Sequence, residues 1–353
     1  MVEAIVERME GEHELTVYCN NRYTPKDAEV PGVRLIRIPT LKGKHLQPIS
    51  LLIFSALHAS FFGNYDLVHL HNMEACFVLP FLLPRYKVIA TAHGQPYKVD
   101  KWSGLAKMFM RLTEYFYIFL PHIHTSVSYP FAQYCEKKYK KKVHYIPNGV
   151  DILSPEKPER PDKRNRLNRL NRLDRPDYIL FSAGRIIPSK GCHLLLKAFA
   201  DLKTDMKLIV VGDVATERGY DRELQRLADD RVTFIPFIES KTELSSLIQD
   251  ALLFVFPSTL EAMSMMLLEV AALEVPVICS DIPENTEVLG EHALYFKSGD
   301  ITDLTNKLRW ALEHIETMRE IAHAAQENVK QNFPWDEIVK EYEQVYQKTA
   351  IRA

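Results

Sequence analysis

The sequence predicts an α/β protein built of two doubly wound domains, each a parallel sheet with helices on both faces. Three observations predict it. Short β-branched and apolar runs alternate with longer helical patterns almost throughout the 353 residues, as expected of parallel strands joined by crossover helices. Twelve such runs can be picked out, too many for one open sheet of ordinary width. The alternation is broken once, near mid-chain, by a polar stretch with no apolar period.

In the first half the strand candidates are Glu14–Tyr18, Val33–Ile38, Leu67–His71, Lys87–Ala92, Ile123–Val127 and Val143–Ile146. In the second they are Tyr178–Ala183, Lys207–Val211, Val232–Ile235, Leu252–Phe256, Val275–Ser280 and Ala293–Phe296. Runs such as Leu252–Phe256 are apolar at every position, the mark of a strand buried on both sides. Helical patterns occupy most of the intervals, among them an apolar-aromatic one over Trp102–Leu120 and another over Cys192–Leu202. The break, Pro155 to Asp177, is rich in Pro, Arg, Asn and Asp and holds a near-triplet repeat of Arg, Leu and Asn. A basic nucleic-acid arm is one reading, but aromatic residues for base stacking are missing there. A solvated linker over 153–177 fits better, leaving an N-terminal domain at 1–152 and a C-terminal domain at 178–334.

Composition excludes several classes. Hydrophobic content is 46%, charged content 25% and formal net charge −2, so nothing global draws the chain to nucleic acid. Five scattered cysteines with no C-x-x-C pair argue for a reducing cytosol and against a disulfide framework or structural zinc. No apolar run reaches the roughly 18–20 residues that span a bilayer, and the N-terminus has no basic-then-apolar signal pattern. A cytoplasmic location is therefore expected. The cluster Glu136-Lys-Lys-Tyr-Lys-Lys-Lys142 follows the 102–120 pattern. Together they could be an exposed helix end, or a peripheral contact with an anionic inner membrane face.

In open α/β sheets ligands bind outside the carboxyl ends of the strands, so the residues there carry the candidate chemistry. After Leu252–Phe256 come Glu261 and then an apolar helix opening near Ser264 and carrying Glu269. A helix N-terminus at a strand end is an anion site, and two acids beside it suit a ligand with phosphate at one end and hydroxyls at the other. The alternative is a solvated loop acid and an ordinary helix-surface Glu. After Tyr178–Ala183 come Gly184, Arg185, Lys190 and Gly191. Gly184 is expected to turn the chain close to a ligand, and Arg185 with Lys190 suits a diphosphate. Either cation alone reads equally as a surface ion-pair partner. Gly212-Asp213 follows Lys207–Val211, Asp281 and Glu284 follow Val275–Ser280, and His93-Gly94 follows Lys87–Ala92. His93 by itself could be a core histidine.

Taken in order, Asp66-Leu-Val-His-Leu-His71, His93-Gly94, Ile146-Pro-Asn-Gly-Val-Asp151, Gly184-Arg185…Lys190-Gly191, Val211-Gly-Asp213, Glu261…Glu269, Pro276-Val-Ile-Cys-Ser-Asp281 and Phe333-Pro-Trp-Asp-Glu-Ile…Tyr346 resemble family 4 of the retaining glycosyltransferases. The resemblance implies the GT-B fold, two doubly wound Rossmann-like domains facing a central cleft, with the C-terminal helix 335–353 completing the N-terminal domain. It implies that Arg185 and Lys190 bind the donor diphosphate and that Glu269 holds the nucleotide ribose. Glu261 would bind the transferred sugar, helped by backbone N–H groups of Met263, Ser264, Met265, Met266 and Leu267. His93 would face the sugar from the N-terminal domain, and the base would lie near Gly212 and the loop 235–238. The partners implied are a nucleotide diphosphate sugar and a glycan or lipid-linked acceptor. No cofactor or metal is expected, since the sequence has no D-x-D pair.

Three positions depart from the family pattern. The pattern opens with a strand and a Gly-rich loop, whereas this chain opens on the helical Val2–Met9, so the N-terminal domain is expected to lack its first strand. Ala262 and Glu274 stand where the family has glycine. Beside a metal-independent retaining transferase, these departures leave a catalytically impaired protein that binds nucleotide or glycan as a partner or scaffold. A GT-B epimerase is a third reading, less suited to the Glu261…Glu269 spacing.

Overall fold

Every strand pairing between named strands is parallel, so each strand returns by a crossover across a sheet face. The computed structural model describes residues 1–9, 11, 13–43, 46–98, 104–151, 178–214 and 219–351. The linker expected over 153–177 and the start of the helix expected at Trp102 lie outside the described residues. The chain divides into two units, Met1–Gly149 with Trp335–Ala353, and Val150–Pro334.

The first unit opens on helix α1 (Val2–Arg8) and a two-stranded sheet of β1 (Leu15–Asn20) and β2 (Val33–Ile38). A separate four-stranded sheet follows in spatial order β3 (Leu67–His71), β4 (Lys87–Ala92), β5 (Ile123–Ser126), β6 (His144–Tyr145). Helix α2 (Leu46–Phe62) bridges β2 and β3, and the Tyr18 hydroxyl on β1 lies 3.0 Å from both His58 Nδ1 and Tyr65 Oη. Short α3 (Leu79–Leu82), α4 (Gly104–Phe119) and α5 (Tyr129–Tyr139) complete the crossovers. Leu79, Leu82, Val88, Tyr117 and Phe131 fill the core between them. The last helix, α13 (Trp335–Ile351), belongs to this unit. Its Tyr342 is fully buried, and Trp335 packs so tightly on Gly149 that a Cβ there would lie 2.5 Å from the indole.

The second unit is one six-stranded sheet with β7 (Tyr178–Ile186), β8 (Lys207–Val214), β9 (Val232–Ile235), β10 (Leu253–Phe256), β11 (Val277–Ser280) and β12 (Leu294–Phe296). Their spatial order, β12-β11-β10-β7-β8-β9, is that of a doubly wound dinucleotide-type fold, with the order reversing between β7 and β10. Helices α6 (Cys192–Ala200), α7 (Tyr220–Leu227), α8 (Lys241–Gln249), α9 (Met265–Ala272), α10 (Pro283–Leu289), α11 (Ile301–Glu313) and α12 (Ile315–Asn332) connect the strands. Phe181, Phe199, Leu253, Val255 and Phe296 form much of the apolar centre.

Two glycine-related expectations resolve differently. Gly184 does not turn the chain: β7 continues through it, and Arg185 and Ile186 pair with Asp213 and Val214 after a register shift at Ser182/Arg185. A bulge lets the ladder resume, so the strand is longer than its apolar run. Glu274, in contrast, sits at φ 59°. It follows the last turn of α9, where a left-handed residue is usually glycine, and a side chain there costs about 1–2 kcal/mol. Ala262 is not among the positive-φ residues, so its Cβ carries no such cost.

Candidate functional site

The reversal between β7 and β10 brings two loops side by side. The chain leaves β7 through a 3₁₀ turn, Pro188–Lys190, then Gly191 at φ 72°, and enters α6. It leaves β10 through Pro257 to Ser264 and enters α9. The loops are bound to each other: Thr259 N donates to Ser189 O at 2.8 Å, and Thr259 Oγ1 to the same carbonyl at 3.3 Å. Gly191 lies directly under Pro257, since a Cβ on it would stand 2.0 Å from the Pro257 carbonyl oxygen.

This contact seats Lys190 Nζ 2.6 Å from Glu261 Oε1. The Glu261 side chain is only 9% exposed, so the ion pair is largely shielded from water. Lys190 Nζ is also 5.8 Å from the centre of the Phe256 ring. An acid and a cation 71 residues apart thus become neighbours at the point where such sheets bind ligands.

Ser264 caps α9, its Oγ accepting from Leu267 N at 3.3 Å. The resemblance implies that the N–H groups from Met263 to Leu267 all serve the ligand. The cap corrects this, because the Leu267 N–H is already used. Met265 and Met266 are the first-turn donors with no intrahelical acceptor, while Met263 and Ser264 are buried. Glu269 lies one turn further along α9. Burial pushes its carboxyl up from the ordinary range, with Lys241 opposing and Asp151 adding to the shift. Among the described residues no group hydrogen-bonds that carboxylate, so its oxygens are available to ligand hydroxyls.

Arg185 lies on the β7 extension, exposed and in register with Asp213. Gly212 on β8 has φ 137° and touches Ala183. Asp213 Oδ1 accepts from Phe237 N at 3.3 Å, and Phe237 passes 3.7 Å from where a Cβ on Gly184 would stand. Phe237, 48% exposed, was only part of a loop range in the sequence. Its aromatic ring beside Gly184 is the added feature at this end of the sheet.

His93 belongs to the first unit and sits in a row of three histidines. His93 Nε2 is 3.2 Å from His71 Nδ1, and the His71 and His69 ring centres lie 4.1 Å apart with the rings tilted by 34°. His69 closes the row through Nε2 to Thr91 Oγ1 at 2.6 Å and Nδ1 to Tyr346 Oη at 2.8 Å. Burial drives His69 down to about 3, with His93 adding to the shift, and drives His93 down to about 4. Burial, then His69 and His93, also hold His71 well below its usual value. All three rings are therefore neutral near pH 7, and of the facing pair His71/His93 one nitrogen donates and the other accepts. The flanking spacing H-x-H was visible in Asp66–His71, but its link to His93 needed the pairing of β3 with β4.

These shifts have a stability consequence with a definite sign. The unfolded chain protonates each histidine near 6.5, the folded unit only at lower pH, so stability present above 6.5 is lost as pH falls below it. Between pH 7 and 6 the loss is roughly 0.7 kcal/mol per histidine. Urea midpoints of the first unit, read at both pH values, should drop accordingly, and a His69→Gln variant should show a shallower drop. A midpoint that does not move would contradict neutral burial.

The fold and the switch-point site define the chain as a GT-B glycosyltransferase-type protein. The family comparison is specific: residues 163–328 match the family model "Glycosyl transferases group 1" and residues 1–152 match "Glycosyltransferase Family 4". The two matches adjoin along the chain and define a GT-B, group 1, glycosyltransferase family 4-like protein. It is 29% identical over 176 residues to a capsular polysaccharide biosynthesis glycosyltransferase of Staphylococcus aureus, covering 48% of this chain and 46% of that one. It is 24% identical to the N-acetyl-alpha-D-glucosaminyl L-malate synthase of Bacillus anthracis, over 80% of this chain and 74% of that one. The chain spans about half or less of the length of the first curated relatives it matches. Among solved structures, sucrose-phosphate synthase from Thermosynechococcus elongatus superposes with a TM-score of 0.80 at 20% identity, over 100% of this chain and 93% of that one. Anabaena HepE in complex with UDP-glucose superposes with a TM-score of 0.72 at 18% identity, over 90% and 86%.

Proposed function

We propose that the protein is a retaining, metal-independent glycosyltransferase that moves a sugar from a nucleoside diphosphate sugar to a glycan or lipid-linked acceptor. The observation that carries this reading is the Lys190–Glu261 pair at the sheet reversal, beside the capped N-terminus of α9. Cleavage of the bond between sugar C1 and the diphosphate oxygen leaves an oxocarbenium-like sugar and adds negative charge to phosphate. Lys190, Arg185 and the first-turn N–H groups of Met265 and Met266 stabilise that charge. Glu261, beside Lys190, accepts hydrogen bonds from hydroxyls of the transferred sugar. Glu269 accepts from ribose hydroxyls, which would supply the hydrogen bonds its carboxylate does not receive from the described residues. The acceptor oxygen attacks the face that the leaving group vacates, and its proton passes to the departing phosphate oxygen, so configuration at C1 is retained. A uridine diphosphate donor is the first to test, given the similarity to a structure holding UDP-glucose.

Titration with UDP, GDP and ADP separates the two acids. Glu269→Ala should weaken binding of the preferred free nucleotide about ten- to a hundredfold, the loss of a hydrogen-bonded charged group. Glu261→Ala should leave free nucleotide bound as tightly or more tightly, because Lys190 loses its internal partner, yet abolish turnover of the nucleotide sugar. Equal loss of free-nucleotide affinity in both variants would refute the assignment. Wild-type nucleotide binding with no turnover across a donor panel would instead favour the scaffold reading.

A further inference from the structure

A second surface, independent of the switch-point site, lies on the first unit. Helix α4 buries Met110, Thr113, Glu114, Tyr117 and Ile118. Its opposite face is apolar as well. Leu105 (77% exposed), Met108 (64%), Leu112, Tyr115 and Phe119 form an exposed row at intervals of three and four residues, about 21 Å long at the helical rise. A helix apolar on both faces has one of them facing water, which is uncommon for a patch of this length.

The lysines from 137 to 142 continue this row. The link is a buried carboxylate: Glu114 of α4 accepts hydrogen bonds from the hydroxyls of Tyr97, Tyr134 and Tyr139 and an ion pair from Lys138 Nζ at 3.1 Å. Burial would raise this carboxyl, but the hydroxyls of Tyr139 and Tyr97 and the Lys138 ammonium outweigh it and hold it below its ordinary value. The anchor fixes the end of α5 against α4. The Tyr139 ring then stands 5.6 Å from Tyr115 and 6.0 Å from Phe119, and Lys141 Nζ lies 5.8 Å from the Phe119 ring. Lys137, Lys140, Lys141 and Lys142 are all exposed there, in a chain whose formal net charge is −2. Two segments separate in sequence thus become one continuous surface, apolar along a helix and cationic at its edge.

We propose that this surface docks on an anionic lipid bilayer. The leucine, methionine and phenylalanine side chains enter the boundary of the acyl region, the exposed Tyr115 ring sits at headgroup level, and the lysine ammonium groups meet lipid phosphate. A protein partner fits less well, because the edge of the surface is lysine, which protein interfaces are depleted in. Among the described residues no helix is long and apolar enough to cross a membrane, so the contact is peripheral.

Co-sedimentation with vesicles tests this without any need for turnover. The protein should pellet with phosphatidylcholine–phosphatidylglycerol vesicles, pellet much less with phosphatidylcholine alone, and be released by salt. Met108→Ser/Leu112→Ser and Lys137→Glu/Lys141→Glu, both on exposed positions, should each weaken partition about tenfold or more with unchanged circular dichroism. Equal pelleting with neutral vesicles, or no pelleting with either, would overturn the proposal. So would a solution dimer that Met108→Ser/Leu112→Ser breaks while wild type ignores vesicles, since the row would then be an interface between copies.

Discussion

Lys190→Ala is expected to lower kcat by about 10²–10³-fold, the usual effect of removing one preorganised donor from developing charge. The ammonium is placed for this by backbone geometry and not by its own flexible stem. The 3₁₀ turn Pro188–Lys190 and left-handed Gly191 set its origin, and the Thr259 bonds to Ser189 fix the turn against the neighbouring loop. Lys190→Arg should recover only part of the rate, since a planar fork does not reproduce a point charge 2.6 Å from Glu261. The alanine variant should also lose roughly 1–3 kcal/mol of stability, because Glu261 is left largely buried without its cation. That figure is kept below the fully buried case because the Lys190 side chain is 27% exposed. Adding Glu261→Ala should return most of the stability and none of the activity, a separation that a double-mutant cycle reads directly. A Lys190→Ala protein with kcat within tenfold of wild type would remove Lys190 from the chemistry.

The sheets were legible because parallel strands covered on both faces leave a run of apolar residues that little else in a soluble chain requires. Val33–Ile38, Leu67–His71, Lys87–Ala92 and Val232–Ile235 have the predicted limits. Limits failed where pairing rather than burial decides them. The stretch Val143–Ile146 has only His144 and Tyr145 in the ladder, and β7 runs three residues past its apolar run because a bulge lets it resume against β8. The acids and cations of the site were legible singly, by their place after strands. Their partnership was not, since Lys190 meets Glu261 only once β7 and β10 are known to be neighbours. The use of the Leu267 N–H by Ser264 was likewise hidden, although a serine opening a helix is a capping signal. Glu114 gave no sequence signal at all, for its tyrosine and lysine partners come from a turn and from the far end of another helix.

The second large effect is structural, and it follows from moving the glycine requirement from position 184 to position 212. A Cβ on Gly212 would lie 1.8 Å from the Ala183 carbonyl oxygen and 3.2 Å from Ile186 Cγ1, at φ 137°. Both obstacles are severe: the first is backbone, which cannot rotate away, and the second is a conformation that L residues rarely adopt. Gly212→Ala should therefore destabilise the second unit by about 3 kcal/mol or more, which for a unit of this size lowers Tm by roughly 10 °C. The displaced carbonyl belongs to the bulge that sets Arg185 opposite Asp213, so nucleotide affinity should fall with stability. Gly184→Ala is the matched control. Its φ is not left-handed and its Cβ would meet only the Phe237 ring edge at 3.7 Å, an ordinary contact, so a change within about 0.5 kcal/mol is expected. Thermal unfolding of the two variants side by side decides the matter. If Gly184→Ala is the more damaging, the chain turns at 184 after all, and the extension of β7 through Arg185 is wrong.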